Sequence, residues 1–79
     1  METKVTEKNL VDYIICYEEG GLEFYECLEL FSYLIKTGNA WTLQGHYGRT
    51  AVNLIQNSFL SECGEINELA VEEYYLYND

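Results

Sequence analysis

Proline is absent from this 79-residue chain and cations are scarce, four lysines and arginines standing against 14 acids for a formal net charge of −10. Without proline, nothing in the sequence forces a helix to kink or stop. The excess of acid repels phosphates, so direct binding to nucleic acid or to an anionic membrane surface is not expected. No apolar run approaches the roughly 18 residues that a membrane-spanning helix takes. The cysteines, Cys16, Cys27 and Cys63, are odd in number and include no CxxC pair. No signal-peptide pattern precedes them, and the expectation is buried, reduced thiols in a cytoplasmic protein with no metal and no cofactor.

Eight tyrosines, three phenylalanines and one tryptophan compensate for the small size. A chain this short buries only about 60% of its unfolded surface, and each aromatic ring contributes roughly 150 to 250 Å². The acids are also segregated. All of them lie outside Leu30 to Ser61, a stretch holding Trp41, the single histidine His46 and the single arginine Arg49. The protein reads as two acidic arms around a neutral, slightly basic centre, GNAWTLQGHYGRTA.

Apolar residues recur at helical spacing, which predicts one all-α domain over residues 1–79, a compact bundle of three to four short helices. The alternative is α+β, with Trp41 to Leu43 and the tyrosine-rich tail paired as a small hairpin. The first helix is expected from about Glu7 to Glu18, capped by Thr6, with Leu10, Tyr13, Ile14 and Tyr17 inward, and stopped by Gly20 and Gly21. The second, Glu23 to Lys36, carries Phe24, Cys27, Leu28, Phe31, Leu34 and Ile35 on one face and ends at Gly38 as a left-handed cap. A loop then tucks Trp41 and Leu43 onto the core. A third helix, about His46 to Asn57, turns Tyr47, Ala51, Leu54 and Ile55 inward, with Phe59 and Leu60 closing over it. The last, about Glu65 to Tyr77 within an acidic, tyrosine-rich segment 62–79, places Ile66, Leu69, Ala70, Tyr74 and Tyr77 near one face.

Catalysis is not expected. His46 is the only base for a nucleophile, no GxSxG elbow is present, and so small a domain can hardly screen a reaction from water. Four zinc ligands would have to come from the scattered Cys16, Cys27, His46 and Cys63. The segment Gly45 to Thr50 opens a predicted helix with no acid in its first turn, so His46 and Arg49 are candidate anion-binding residues. It is not a phosphate-binding GxxxxGK[ST] loop, and the competing reading pairs Arg49 with a nearby glutamate and packs His46.

The acids Glu23, Glu26 and Glu29, and Glu65, Glu68 and Glu72, have the spacing of wet helix faces. What such faces normally carry, and these lack, is interleaved lysine at i,i+4. No base follows Arg49. The alternatives are an arm kept acidic for solubility and one that meets a basic partner, the candidate partner-binding residues being Glu65, Glu68, Glu72, Glu73, Tyr74, Tyr75, Tyr77 and Trp41. The aromatics among them fit equally a terminal helix docked on the core, unless two of the last rings prove exposed.

The run ELFSYLIKTGNAWTLQGHYGRTAVNLIQ resembles a family of short, uncharacterised proteins encoded largely by bacteriophages, which pair an acidic helix ending in LI-x-TG with an AW-x-LQGHYGR-TA stretch. The similarity covers about Gly20 to Leu60, and members often carry glycine where this chain has Asn57-Ser58. The resemblance implies a small helical phage protein in the host cytoplasm. By analogy rather than from a site, small acidic phage proteins occupy host machines. The expectation is therefore an inhibitor or modulator of a host bacterial protein with a basic surface, such as RNA polymerase or a CRISPR effector. A homo-oligomeric scaffold module and a small-anion-binding module are the alternatives.

Overall fold

The computed structural model describes residues 5–77. Residues 1–4 lie outside them, as do Asn78 and Asp79 of the expected C-terminal segment. The chain is all-α, with α1 at Leu10–Glu18, α2 at Phe24–Thr37, a 3-10 turn at Asn39–Trp41, α3 at Gly45–Gln56 and α4 at Glu68–Tyr77. Among the described residues there is no strand beyond one isolated antiparallel bridge, Leu60 to Ile66. The all-α expectation holds, and the alternative hairpin of Trp41 to Leu43 with the tail does not form.

α2 is the axis of the fold. Glu23 and Glu26 form a reciprocal capping box at its start, the Glu23 amide donating to Glu26 Oε1 at 3.0 Å, which satisfies donors that a helix N-terminus otherwise leaves open. Gly38, at φ +80, closes it as expected. Leu28, Leu30, Phe31, Leu34 and Ile35 are buried, and so are Ser32 and Glu29. A helix covered on this many sides is a core helix rather than a surface one. The expectation of Glu29 on a wet face is thereby corrected: it is only 8% exposed, because elements pack on both sides of α2.

α1 starts at Leu10, three residues later than its periodicity promised, and Asn9 rather than Thr6 occupies the cap position. The Thr6 amide donates to Asn9 Oδ1 at 2.7 Å and the Asn9 amide to the Thr6 carbonyl. The local turn holds Thr6 outside the helix, the competition expected of asparagine near a helix start. No α1 residue is fully buried; Leu10, Tyr13, Ile14 and Tyr17 lie half-buried against the core.

Between α3 and α4 the chain crosses the back of α2. Ser61 Oγ accepts from the amides of Cys63 and Glu65, and the buried Ser32 hydroxyl donates to the Gly64 carbonyl. Gly64 sits at φ +91, and a Cβ there would lie 2.8 Å from the Ser32 carbonyl oxygen. This loop displaces the expected start of the last helix from Glu65 to Glu68. Just before it, Ser58 takes φ +67, a left-handed conformation that suits glycine better.

The thiols differ from expectation. Cys16 and Cys63 are exposed and only Cys27 is partly buried, all three free. Among the described residues no helix is long and apolar enough to cross a membrane.

Candidate functional site

Among the described residues, two phenol–carboxylate bonds tie helices together. Tyr47, on the buried face of α3, donates to Glu18 Oε2 of α1 at 2.6 Å. Tyr25 of α2 donates to Glu68 Oε2 of α4 at 2.8 Å. Burial, then the bond to Glu18, holds the Tyr47 phenol far above its ordinary range. The bond to Glu68, then burial, pushes Tyr25 up to about 12. Both groups favour the neutral phenol in the fold, so their contribution is intact below the unfolded value of about 10 and is lost as pH rises through the folded one. Stability should therefore fall between about pH 10 and 12, and Tyr25→Phe should flatten that fall in denaturant titrations at stepped pH. An equally steep fall in the variant would dissociate the bond from alkaline stability.

α4 docks on this frame by rings rather than by a continuous apolar stripe. Tyr74 stacks on Phe24 with centroids 4.1 Å apart, Phe59 meets Phe24 edge-on at 5.0 Å, and Tyr75 reaches the same ring at 6.2 Å. Val71 is the helix's one buried residue. With Val71 and Tyr74 inward, the helix lies rotated from the expected orientation. Leu69, expected inward, is 72% exposed, and Tyr77, also expected inward, is 80% exposed. Leu76 joins them at 73%, and Tyr75 is exposed as well.

The outward residues are ordered. Leu69, Glu73, Leu76 and Tyr77 fall at i, i+4, i+7 and i+8, one stripe of the helix, with Glu72 beside it. Beside the stripe opens a shallow cleft of ≈ 550 Å³ whose lining includes Phe59, Leu69, Glu73, Tyr74 and Tyr77. Of the expected partner-binding residues, the structure brings Glu72, Glu73 and Tyr77 together. Glu65 is exposed in the preceding loop, Glu68 is exposed but tied to Tyr25, and Tyr74 is half-buried against Phe24.

Trp41 belongs to a different surface. Ala40, not Trp41, takes the buried position of the 3-10 turn, leaving the indole 51% exposed and Leu43 exposed beside it. The expectation that both plug the core fails: of the three-residue turn only Ala40 is buried, its carbonyl lying beside Gly48 of α3. Trp41 instead walls a groove of ≈ 440 Å³ along α3 with Arg49, Val52, Asn53 and Gln56. A second hollow of ≈ 370 Å³, lined by Trp41, Val52, Ile55, Gln56 and Glu62, continues it.

Arg49 folds back toward Gly45, its Nη1 lying 3.2 Å from where a Cβ would stand. No carboxylate among the described residues pairs with it, contrary to the expected local ion pair. His46 turns elsewhere, its ring 4.2 Å from Tyr47 and stacked parallel to Tyr17 at 6.4 Å. The candidate anion-binding pair thus does not converge. Among the described residues no three histidine, cysteine or acidic side chains gather where they could hold a metal.

The fold and its surfaces define a small all-α domain with two exposed apolar faces, one rimmed by carboxylates and one by a guanidinium and amides. The chain belongs to the family described as Domain of unknown function (DUF7417), whose model matches residues 4–75. That match takes in most of both acidic arms as well as the GHYGR centre. No curated protein and no solved structure matches the chain.

Proposed function

We propose that this protein is a binding module that inhibits or modulates a bacterial host protein by covering a basic surface on it, with α4 as the contact element. The observation that carries the reading is the outward stripe Leu69, Glu73, Leu76 and Tyr77: three large apolar side chains, each more than 70% exposed, alternate with carboxylates. Large exposed apolar residues in one patch mark a contact surface. The carboxylates set the sign of the partner, and no lysine or arginine follows Arg49 to neutralise them. A surface built to grip nucleic-acid phosphates has the complementary charge. Acidic rows would steer the encounter, and Leu76 and Tyr77 would anchor it as an amphipathic helix lying in a groove.

Affinity capture from bacterial lysate with wild-type and α4-variant baits tests this. A specific partner should be retained by wild type, lost with Leu76→Ser/Tyr77→Ser, weakened about tenfold with Glu72→Gln/Glu73→Gln, and released as salt approaches molar concentrations. A partner that stays on both variants, or that ignores salt, would place the contact elsewhere.

A further inference from the structure

The Trp41 groove remains after α4 has been given a role. It is the face of α3 that carries Gly45, Gly48, Arg49, Val52 and Gln56 at helical spacing, with Trp41 as a side wall. Its ligand must be apolar enough to cover an indole and a valine, and able to satisfy two amides and a guanidinium that no carboxylate among the described residues pairs with. The groove is open rather than a closed cavity for a small molecule. From Gly45 to Gln56, α3 spans about 16 Å at a rise of 1.5 Å per residue.

One segment of matching chemistry is on this same chain. The α4 stripe from Leu69 to Tyr77 is about 12 Å long and carries the exposed apolar rows and the carboxylates that the groove lacks. Two copies each of charge −10 repel wherever acidic arm meets acidic arm. The acid-free stretch Leu30 to Ser61 is where a second copy's carboxylates can approach without that repulsion, and Glu62 appears only at the far end of the second hollow.

We infer that the Trp41 groove receives α4 of a second copy, Leu76 and Tyr77 packing against Trp41 and Val52 while Glu72 or Glu73 meets Arg49. If each copy gives and receives a helix, the two contacts are equivalent and the assembly closes at a dimer. The inference takes the α4 stripe from the reading above, so partner capture and self-association compete for one helix. Each can still fail alone: Arg49→Glu should weaken the dimer and leave α4 free for a host protein.

Sedimentation velocity across a concentration series up to the millimolar range, with circular dichroism to verify that each variant is folded, decides the matter. The wild type should dimerise. Arg49→Glu, and separately Leu76→Ser/Tyr77→Ser, should each weaken association about tenfold or more. All of these side chains are exposed, so the fold should survive. The discriminating arm is a mixture: the arginine variant keeps a working helix and the tail variant a working groove, so together they should associate more than either alone. A wild type that is monomeric throughout overturns the inference. So do variants that self-associate like the wild type, or a mixture that gains nothing.

Discussion

Gly64→Ala should lower the melting temperature by about 15 °C, against about 5 °C for Gly38→Ala. Both glycines adopt positive φ, +91 and +80, and a non-glycine residue in that region costs roughly 1–2 kcal/mol. They differ in their surroundings. A Cβ at Gly38 meets nothing within 4 Å, whereas at Gly64 it would fall 2.8 Å from the Ser32 carbonyl oxygen and 3.0 Å from Lys36 Cγ. The lysine can move; the backbone of the core helix cannot. The loop must lift, breaking the bond from the buried Ser32 hydroxyl to the Gly64 carbonyl. Overpacking of this kind adds about 1–3 kcal/mol, for a total near 3 kcal/mol in a domain whose whole stability is on the order of 5 kcal/mol. Differential scanning calorimetry on both variants checks the contrast, and equal melting temperatures would show that the close approach is not held in solution.

The second large effect concerns how α4 is held. Phe24→Ala removes the ring that Tyr74, Phe59 and Tyr75 all contact, leaving Val71, the edge-on Phe59–Tyr74 contact and the Tyr25–Glu68 bond as the main attachments. Truncating a fully buried phenylalanine costs about 3–5 kcal/mol, and for this half-buried one roughly 2 kcal/mol is expected. Because the loss falls on one helix, it should appear as local opening. Hydrogen exchange of the α4 amides should speed up about thirtyfold. The amides of α2 and α3, which surround Phe31, Leu34 and Ala51, should slow-exchange as before. Uniform acceleration through all four helices would mean that α4 opens only with the whole domain.

The sequence made α2 legible because three independent signals agree there: a 3.6-residue apolar period, an acid at the start and a glycine at the end. It hid Glu29 because periodicity assigns one face, while α2 is covered on more than one. The arm from Glu62 misled for a different reason. Tyr74, Tyr75, Leu76 and Tyr77 are four consecutive large side chains, and at 100° per residue they surround the helix. Some must point outward, and pattern alone does not choose which. The choice is made by Phe24, fifty residues away in sequence from Tyr74, through a contact that no local rule contains. Gly64 likewise reads as a turn glycine until the backbone beneath it is known.

The groove had one visible sign in the sequence, a lone arginine in a segment empty of acid. The natural reading was that so many glutamates would find it. Among the described residues none does, because α3 carries Arg49 on the face where Trp41 stands, and Glu62 appears only in the hollow that continues the groove. The sequence suggests Trp41 as the core plug of this turn, whereas the buried neighbour is Ala40, the smaller of the two.

The two carboxylates tied across the fold, Glu18 and Glu68, are held by neutral phenols and not by cations. Ionic strength therefore has no attraction to weaken at these two ties, while it does relieve the mutual repulsion of the surface acids. Salt should then tighten the fold, and on the proposed function it would at the same time weaken the contact with a basic partner. Tyrosine, in a chain with so few bases, makes these two ties without a cation that salt could screen.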